Sequence, residues 1–236
     1  MKATWFRLIN SLCVFFLFHS STFAQVSSDP YVVYDTSFRV KGYFNQLQFA
    51  PLKLIGSINP GIELSYERMD KSRWSTQVTG TYLLPRPLLN INGTKVDPDK
   101  KGFKIAVEEK FYVYKMESKG FYVAGALAYM HSRNVAEMNF ESLVLNRSYK
   151  DTFEITKNNL YFTLQCGYYF TFKRIMVTFA GGFGAQHRNA AHAGRINADD
   201  QFTATPIFIY LPHFYNKAGR SWEGYFPLTM RIGYLF

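Results

Sequence analysis

The sequence predicts an all-β fold, an antiparallel up-and-down transmembrane β-barrel of eight strands. Three observations carry that prediction: an export-type N-terminus, repeated segments that alternate apolar with small or polar residues, and links that alternate short and long. The last long link, Asn189 to Gly224, has room for two further strands, notably Phe202 to Tyr210, so ten strands is the competing count.

At the N-terminus, Lys2 and Arg7 precede an apolar run from Leu12 to Phe18, and mostly small residues lead to Thr22-Phe23-Ala24. This order reads as a secretory signal peptide, residues 1–24, cleaved before Gln25. A membrane anchor needs roughly 20 apolar residues, and His19, Ser20 and Ser21 interrupt this run early. Cys13 sits inside the apolar core and not at its exit, which disfavours a lipoprotein signal. Cleavage leaves residues 25–236, 212 of the 236, as one outer-membrane barrel domain; losing Lys2 and Arg7 lowers the net charge from +10 to +8. Cys166 is then the lone thiol, expected buried or lipid-facing, and no internal disulfide forms. No later apolar run is long enough for a membrane helix. A chain of this kind crosses lipid only as a closed barrel, because hydrocarbon leaves unpaired backbone groups unsatisfied.

The first strand falls somewhere in Ser37 to Leu54, where alternation slips near Phe44 to Leu47. Gly61 to Met69 places Ile62, Leu64 and Tyr66 outward against Glu63, Ser65 and Glu67. Arg73 to Leu84 sets Trp74, Val78 and Tyr82 against Ser75, Gln77, Thr79 and Thr81. Gly102 to Lys115 sets Phe103, Ile105, Val107, Phe111 and Val113 against Lys104, Glu108 and Lys110. Glu109 breaks the outward rule and reads as a bulge or rim residue. Phe121 to Arg133 presents Phe121, Val123, Leu127 and Tyr129, with Ala124, Ala126 and Ala128 behind them. Leu160 to Lys173 and Arg174 to Arg188 repeat the pattern, with Gln165, Lys173 and Gln186 inward. The last segment is the clearest: Phe226, Leu228, Met230, Ile232, Tyr234 and Phe236 share one face, and Arg231 lies on the other. Tight links at Met69–Arg73, Lys115–Gly120 and Phe172–Arg174 alternate with long ones at Pro85–Lys101, Asn134–Tyr149 and Asn189–Gly224. The link near Gly56 to Pro60 is short for an outer loop. Tyr82, Tyr112, Tyr114, Tyr122, Tyr129, Tyr168, Tyr169, Tyr225 and Tyr234 fall near strand ends, as interfacial girdles require.

An eight-stranded barrel is just wide enough for its side chains to fill. The inward charges Glu63, Glu67, Lys104, Glu108, Lys110 and Arg231 are therefore expected to pair across the lumen as a plug, since an unpaired buried charge is costly. The alternative is a narrow conduit. Basic residues in or beside the expected outer loops, chiefly Lys100, Lys101, Arg133, Arg188 and Arg195, suit the phosphates of lipopolysaccharide. Expected partners are thus outer-membrane lipids, lipopolysaccharide and, through the terminal aromatic Phe236, the barrel-assembly machinery. Nucleic acid is excluded by export and strand pattern, although the chain is basic.

An enzyme needs a nucleophile, a base and an orienting acid in reach. Met130-His131-Ser132-Arg133-Asn134 and Gln186-His187-Arg188-Asn189-Ala190 resemble in part the His-x-Ser-Asn motif of outer-membrane lipid A deacylases. Neither fits: Ser132 directly follows His131, and no serine follows His187, although Glu137 or Glu141 offers an acid. The expectation is a non-enzymatic barrel without catalytic residue, cofactor or metal site, for structure, loop-mediated binding or narrow conduction. A lipid A-modifying hydrolase is the alternative.

Asn59-Pro60-Gly61-Ile62-Glu63-Leu64-Ser65-Tyr66-Glu67-Arg68 carries a Gly-x-Glu-x-x-Tyr-Glu pattern. It resembles the second strand of a small outer-membrane barrel family of unknown function common in Bacteroidota, and the Ala24-Gln25 junction is similar to that group's. The resemblance implies an outer-membrane barrel and transfers no catalytic residue.

Overall fold

The computed structural model describes residues 45–55, 59–69, 73–85, 100–115, 118–141, 147–197, 201–202 and 218–236. The expected signal peptide, the further basic residues Lys95 and Lys217 of the expected outer loops, the loop histidine His213 and residues 203–210 of the extra-strand segment lie outside them. The chain is nearly all antiparallel β: β1 (Asn45–Phe49), β2 (Gly61–Met69), β3 (Trp74–Leu83), β4 (Lys101–Lys115), β5 (Lys119–Glu141), β6 (Ser148–Phe172), β7 (Ile175–Ala193), β8 (Gln201–Phe202), β9 (Gly219–Tyr225) and β10 (Leu228–Leu235). One short helix, α1 (Leu52–Ile55), follows β1.

Eight staves close a ring. β1 to β7 pair in sequence order, and β10 pairs with both β7 and β1. Asn45 and Phe236 exchange backbone hydrogen bonds of 3.1 and 2.9 Å at the seam. β9 is not a ninth stave. It continues β10 along the same partner, Tyr225 facing Gly184 and Leu228 facing Gly181 on β7. Pro227 causes the interruption: it has no N–H to give to the ladder, yet its carbonyl still accepts from Gly182 N at 3.1 Å. The described part of the ten-strand candidate is β8 alone, which pairs off the ring with β5 at Phe140 and Glu141.

Alternation decides which side chain fills the lumen. β2 and β3 alternate buried and exposed positions without a break, the polar set inward and Ile62, Leu64, Tyr66, Trp74, Val78 and Tyr82 outward. The lumen has two unlike walls. β1, β2, β4 and β10 send in long polar or charged groups such as Gln48, Glu67, Lys110 and Arg231, whereas β5 to β7 set small groups, Ala124, Ala128, Thr163, Gly167, Thr178 and Ala180, between larger ones such as Tyr122, Tyr161 and Tyr169. Large groups from one wall occupy the room that small ones leave on the other, which is how a narrow barrel reaches interior packing density. Gly167 makes room for its own cross-strand neighbour: a Cβ there would lie 2.3 Å from the ring of Tyr122 on β5.

One expected loop is largely strand, and both ends of another are strand. β5, β6 and β7 run for 23, 25 and 19 residues, against roughly 9–11 for a bilayer crossing. The links read as Asn134–Tyr149 and Asn189–Gly224 shrink accordingly, since β5 ends at Glu141, β6 begins at Ser148, β7 ends at Ala193 and β9 begins at Gly219. Above the ring the sheet exchanges its polarity. Lower down, the outward residues are Phe121, Val123, Leu127, Tyr129, Leu160, Phe162 and Leu164, the last 60% exposed. Above His131 and Asn158 the outer face carries the ion pairs Arg133–Glu154 and Glu137–Lys150. The inner face there holds a small apolar core of Ala136, Phe140, Phe153 and Ile155. The Phe140 and Phe153 rings meet at 5.6 Å, His192 packs on Phe153 at 4.7 Å, and the Arg195 guanidinium lies 4.3 Å above Phe140.

Candidate functional site

The lumen holds a ladder of alternating charge. Arg231 on β10 places Nε 3.4 Å from Glu63 Oε1 on β2 and Nη1 3.5 Å from Glu108 Oε2 on β4. Glu108 Oε1 is 3.8 Å from Lys110 Nζ, which is 2.6 Å from Glu67 Oε2. Every member is buried. These residues meet because inward positions recur at i, i+2 and i+4: Glu63 and Glu67 on β2, Glu108 and Lys110 on β4.

Glu67 is the best-satisfied group. Its two oxygens accept from Gln48 Nε2 at 2.7 Å, Ser75 Oγ at 2.6 Å, Lys110 Nζ at 2.6 Å and Tyr112 OH at 2.7 Å. Four donors replace the hydration shell that burial removed, and charge-assisted bonds of this kind are the strong ones. Lys104, the sixth expected member, is half-buried and makes no ion pair among the described residues; its Nζ lies 5.1 Å from the Tyr161 ring centroid and 5.8 Å from that of Tyr225. Its charge interacts with Glu63 and Glu108. Lys53 on α1 adds a cation that interacts with Lys104, Glu63 and Arg231.

The lower lumen closes on aromatics. Tyr112, Tyr122 and Tyr169 are buried with Met69, Met176 and Leu235, their rings 5.6 and 5.7 Å from that of Tyr112. These three tyrosines were expected in the girdle and face inward instead. The regular register of β4 on β5 puts Tyr112 opposite Tyr122 in phase with Glu108 and Lys110, and the register shifts only beyond it, where Tyr114 faces Phe121. Tyr225 is also inward and half-buried against Tyr161 at 4.8 Å. Tyr82, Tyr129 and Tyr234 are outward, as expected. The side chain of Tyr114 lies outside the described set.

Of the basic residues expected at the outer surface, Lys101 and Arg133 are exposed, and Lys100 bonds Asn59. Arg195 is half-buried over Phe140. Arg188 corrects the expectation: β7 continues past it in phase with Gln186, so it points inward, buried, with Nε 2.8 Å from Glu223 Oε1 and 3.2 Å from Ser221 Oγ. Gln186 donates to the same Glu223 at 2.7 Å. Lys173, expected inside, occupies the exposed two-residue turn before β7 with a φ of 56°. Glu109 is no bulge. It sits in regular register between Thr76 and Gly125, faces outward and accepts from Thr76 Oγ1 at 2.7 Å.

The hydrolase stretch is split by the wall. His131 faces outward, with Nδ1 2.8 Å from Asn158 Oδ1, while Ser132 turns inward and is fully buried. A serine and a histidine on opposite faces of one strand cannot form a nucleophile–base pair. His187 packs outward on Trp222 at 5.0 Å. Among the described residues no three His, Cys, Asp or Glu side chains gather as metal ligands.

No family model, curated protein or solved structure matches this chain.

Reasoning from sequence missed Gln48 and Gln46 in the lumen and Glu223 above it. The alternation of Asn45-Gln46-Leu47-Gln48-Phe49 was the available signal for the first two.

Proposed function

We propose that this chain is a non-enzymatic outer-membrane barrel, its lumen filled by the Glu63–Arg231–Glu108–Lys110–Glu67 ladder and its upper outer surface turned to lipopolysaccharide. The observation that carries the reading is the exchange of polarity at His131 and Asn158 on β5 and β6. A water-soluble barrel would gain nothing by exposing Ile105, Val107, Leu164 and Phe179, all more than 40% exposed, and an apolar surface of that extent marks a lipid or protein contact. The charged outer face above that level is what an element emerging into water requires.

The closely spaced strand ends Met69 and Trp74, Lys115 and Lys119, and Phe172 and Ile175 share an end with Asn45 and Phe236, so we assign that end to the periplasm and the tall β5–β6–β7 sheet to the outside. Phe236 would serve the barrel-assembly machinery there. Membership of the small Bacteroidota barrel family is part of the proposal and rests on Gly61, Glu63, Tyr66 and Glu67. Both glutamates of that pattern belong to the ladder, and the Tyr66 hydroxyl donates to Asn45 at 2.7 Å on the outer face.

The test is gel mobility of detergent-folded protein with and without boiling. A folded barrel migrates differently from its boiled form. Identical migration, together with solubility in the absence of detergent, would refute the reading. Lipid A profiles unchanged by His131→Ala would remove the hydrolase.

A further inference from the structure

One row of the outer wall crosses four strands at a single level and takes no part in the lumen network. The register aligns His131 on β5 with Asn158 on β6, Asn158 with Asn189 on β7, and Asn189 with Arg220 on β9. All four point outward, since their neighbours Ser132, Asn159 and Arg188 are buried in the lumen and Ser221 bonds Arg188 there. Tyr129 OH and His131 Nδ1 both approach Asn158 Oδ1 at 2.8 Å, which fixes the orientation of that amide. Arg220 is exposed and has no ion-pair partner among the described residues. Lys101, opposite Arg133 one step higher, is likewise exposed and without one.

Directly below the row lie Tyr129, Leu160, His187 and Trp222, with Trp222 65% exposed and 6.4 Å from Phe162. Hydrogen-bond donors and cations above exposed rings match a molecule with an anionic head and apolar chains. The row also has two charged ends. Lys101 and His131 stand at one, and Arg220 stands at the other, three strand spacings or about 14 Å from His131. One phosphodiester cannot reach both ends, whereas a disaccharide head with a phosphate at each end can.

We propose that the His131–Asn158–Asn189–Arg220 row is a binding site for a bis-phosphorylated glycolipid of the lipid A type. One phosphate bonds Arg220 and the Asn189 amide, the other bonds His131 and Lys101, and the acyl chains lie over Leu160, Phe162 and Trp222. The site rests on the outer-membrane reading above and specifies the lipid that reading leaves open.

Native mass spectrometry of the detergent-folded protein tests it, with bis-phosphorylated lipid A, its dephosphorylated form and phosphatidylglycerol as separate probes. The site predicts retention of the bis-phosphorylated lipid alone. Arg220→Ala lowers that retention about tenfold, the worth of a charge-assisted hydrogen bond. Lys119→Ala, an exposed lysine at the opposite rim, leaves it unchanged. Equal retention of phosphatidylglycerol, or equal loss in Lys119→Ala, overturns the site in favour of diffuse charge attraction. Heat-modifiable mobility of each sample separates the two readings: a folded barrel that holds no lipid A overturns the site alone, and an unmodified mobility overturns the membrane reading and the site together.

Discussion

Arg231 Nε stands 3.4 Å from Glu63 Oε1, tying the last stave of the barrel to the second across 168 residues of chain. The same guanidinium reaches Glu108, so one side chain neutralises carboxylates on two further staves. Removing it leaves Glu63 without its ion-pair partner and Glu108 with Lys110 alone, and breaking such a buried pair from one side costs about 3–5 kcal/mol. Arg231→Met is expected to lose that much in urea unfolding from detergent or vesicles. Combining it with Glu63→Gln and Glu108→Gln is expected to recover most of the loss. An Arg231→Met protein within about 1 kcal/mol of the parent would mean that the lumen is wet enough to solvate both acids.

Glu67 gives a second, independent probe. Glu67→Gln keeps the shape but turns one acceptor oxygen into an N–H2 that faces two donors, either Gln48 and Lys110 or Ser75 and Tyr112. The expected cost is about 2–3 kcal/mol, the value of hydrogen bonds to a charged group left unmade. Lys110→Met should cost a similar amount, and the double variant less than the sum, as a double-mutant cycle reads directly.

The parts of this fold that sequence revealed are those where alternation has one meaning. In β2 the order Glu63, Ser65, Glu67 against Ile62, Leu64, Tyr66 has a single consistent reading, and parity puts Arg231 on the same inward face as Glu63, Glu67 and Glu108, of which the structure pairs it with Glu63 and Glu108. Tyrosine has no such single meaning. It serves a lipid interface or a filled lumen equally well, so Tyr112, Tyr122 and Tyr169 could not be assigned by type. Parity placed Tyr112 opposite Phe111 and Val113, yet its residue type suggested the girdle. The upper halves of β5 and β6 were hidden for a different reason: above the ring the apolar residues Ala136, Phe140, Phe153 and Ile155 change faces. A strand that inverts its pattern reads as a loop.

Backbone strain supplies a third prediction. Lys173 adopts a φ of 56° in a two-residue turn, a conformation that costs a non-glycine residue about 1–2 kcal/mol. Lys173→Gly should therefore raise stability by about 1 kcal/mol, less the entropy glycine gains when unfolded. A loss would show that the ammonium, 5.7 Å from the Phe172 ring, contributes more than the turn costs.

Gly167→Ala should act in the opposite direction. The new methyl would lie 2.3 Å from the Tyr122 ring, and that ring is confined by Tyr112. Overpacking of this kind costs about 1–3 kcal/mol. Gly80→Ala, on the outer face with nothing within 4 Å of its Cβ, should be near neutral in the same assay.

The filled lumen makes its own electrical prediction. Planar bilayers holding the parent protein should show no conductance steps, and the Tyr112→Ala/Tyr122→Ala double variant should show small ones by removing the aromatic floor. Steps from the parent protein would identify a conduit past the ladder.

The central claim is that the outward face of the ring meets hydrocarbon, and Cys166 reports on it without mutation. It is exposed on β6, between Leu164 and Tyr168 on the apolar face, and is the lone cysteine of residues 25–236. An environment-sensitive fluorophore attached to that thiol, in protein folded from residues 25–236 into vesicles, can be quenched by brominated acyl chains or by aqueous iodide. Lipid contact predicts blue-shifted emission, strong quenching by the brominated chains and little by iodide. Water-like emission quenched by iodide alone would contradict a lipid-spanning barrel.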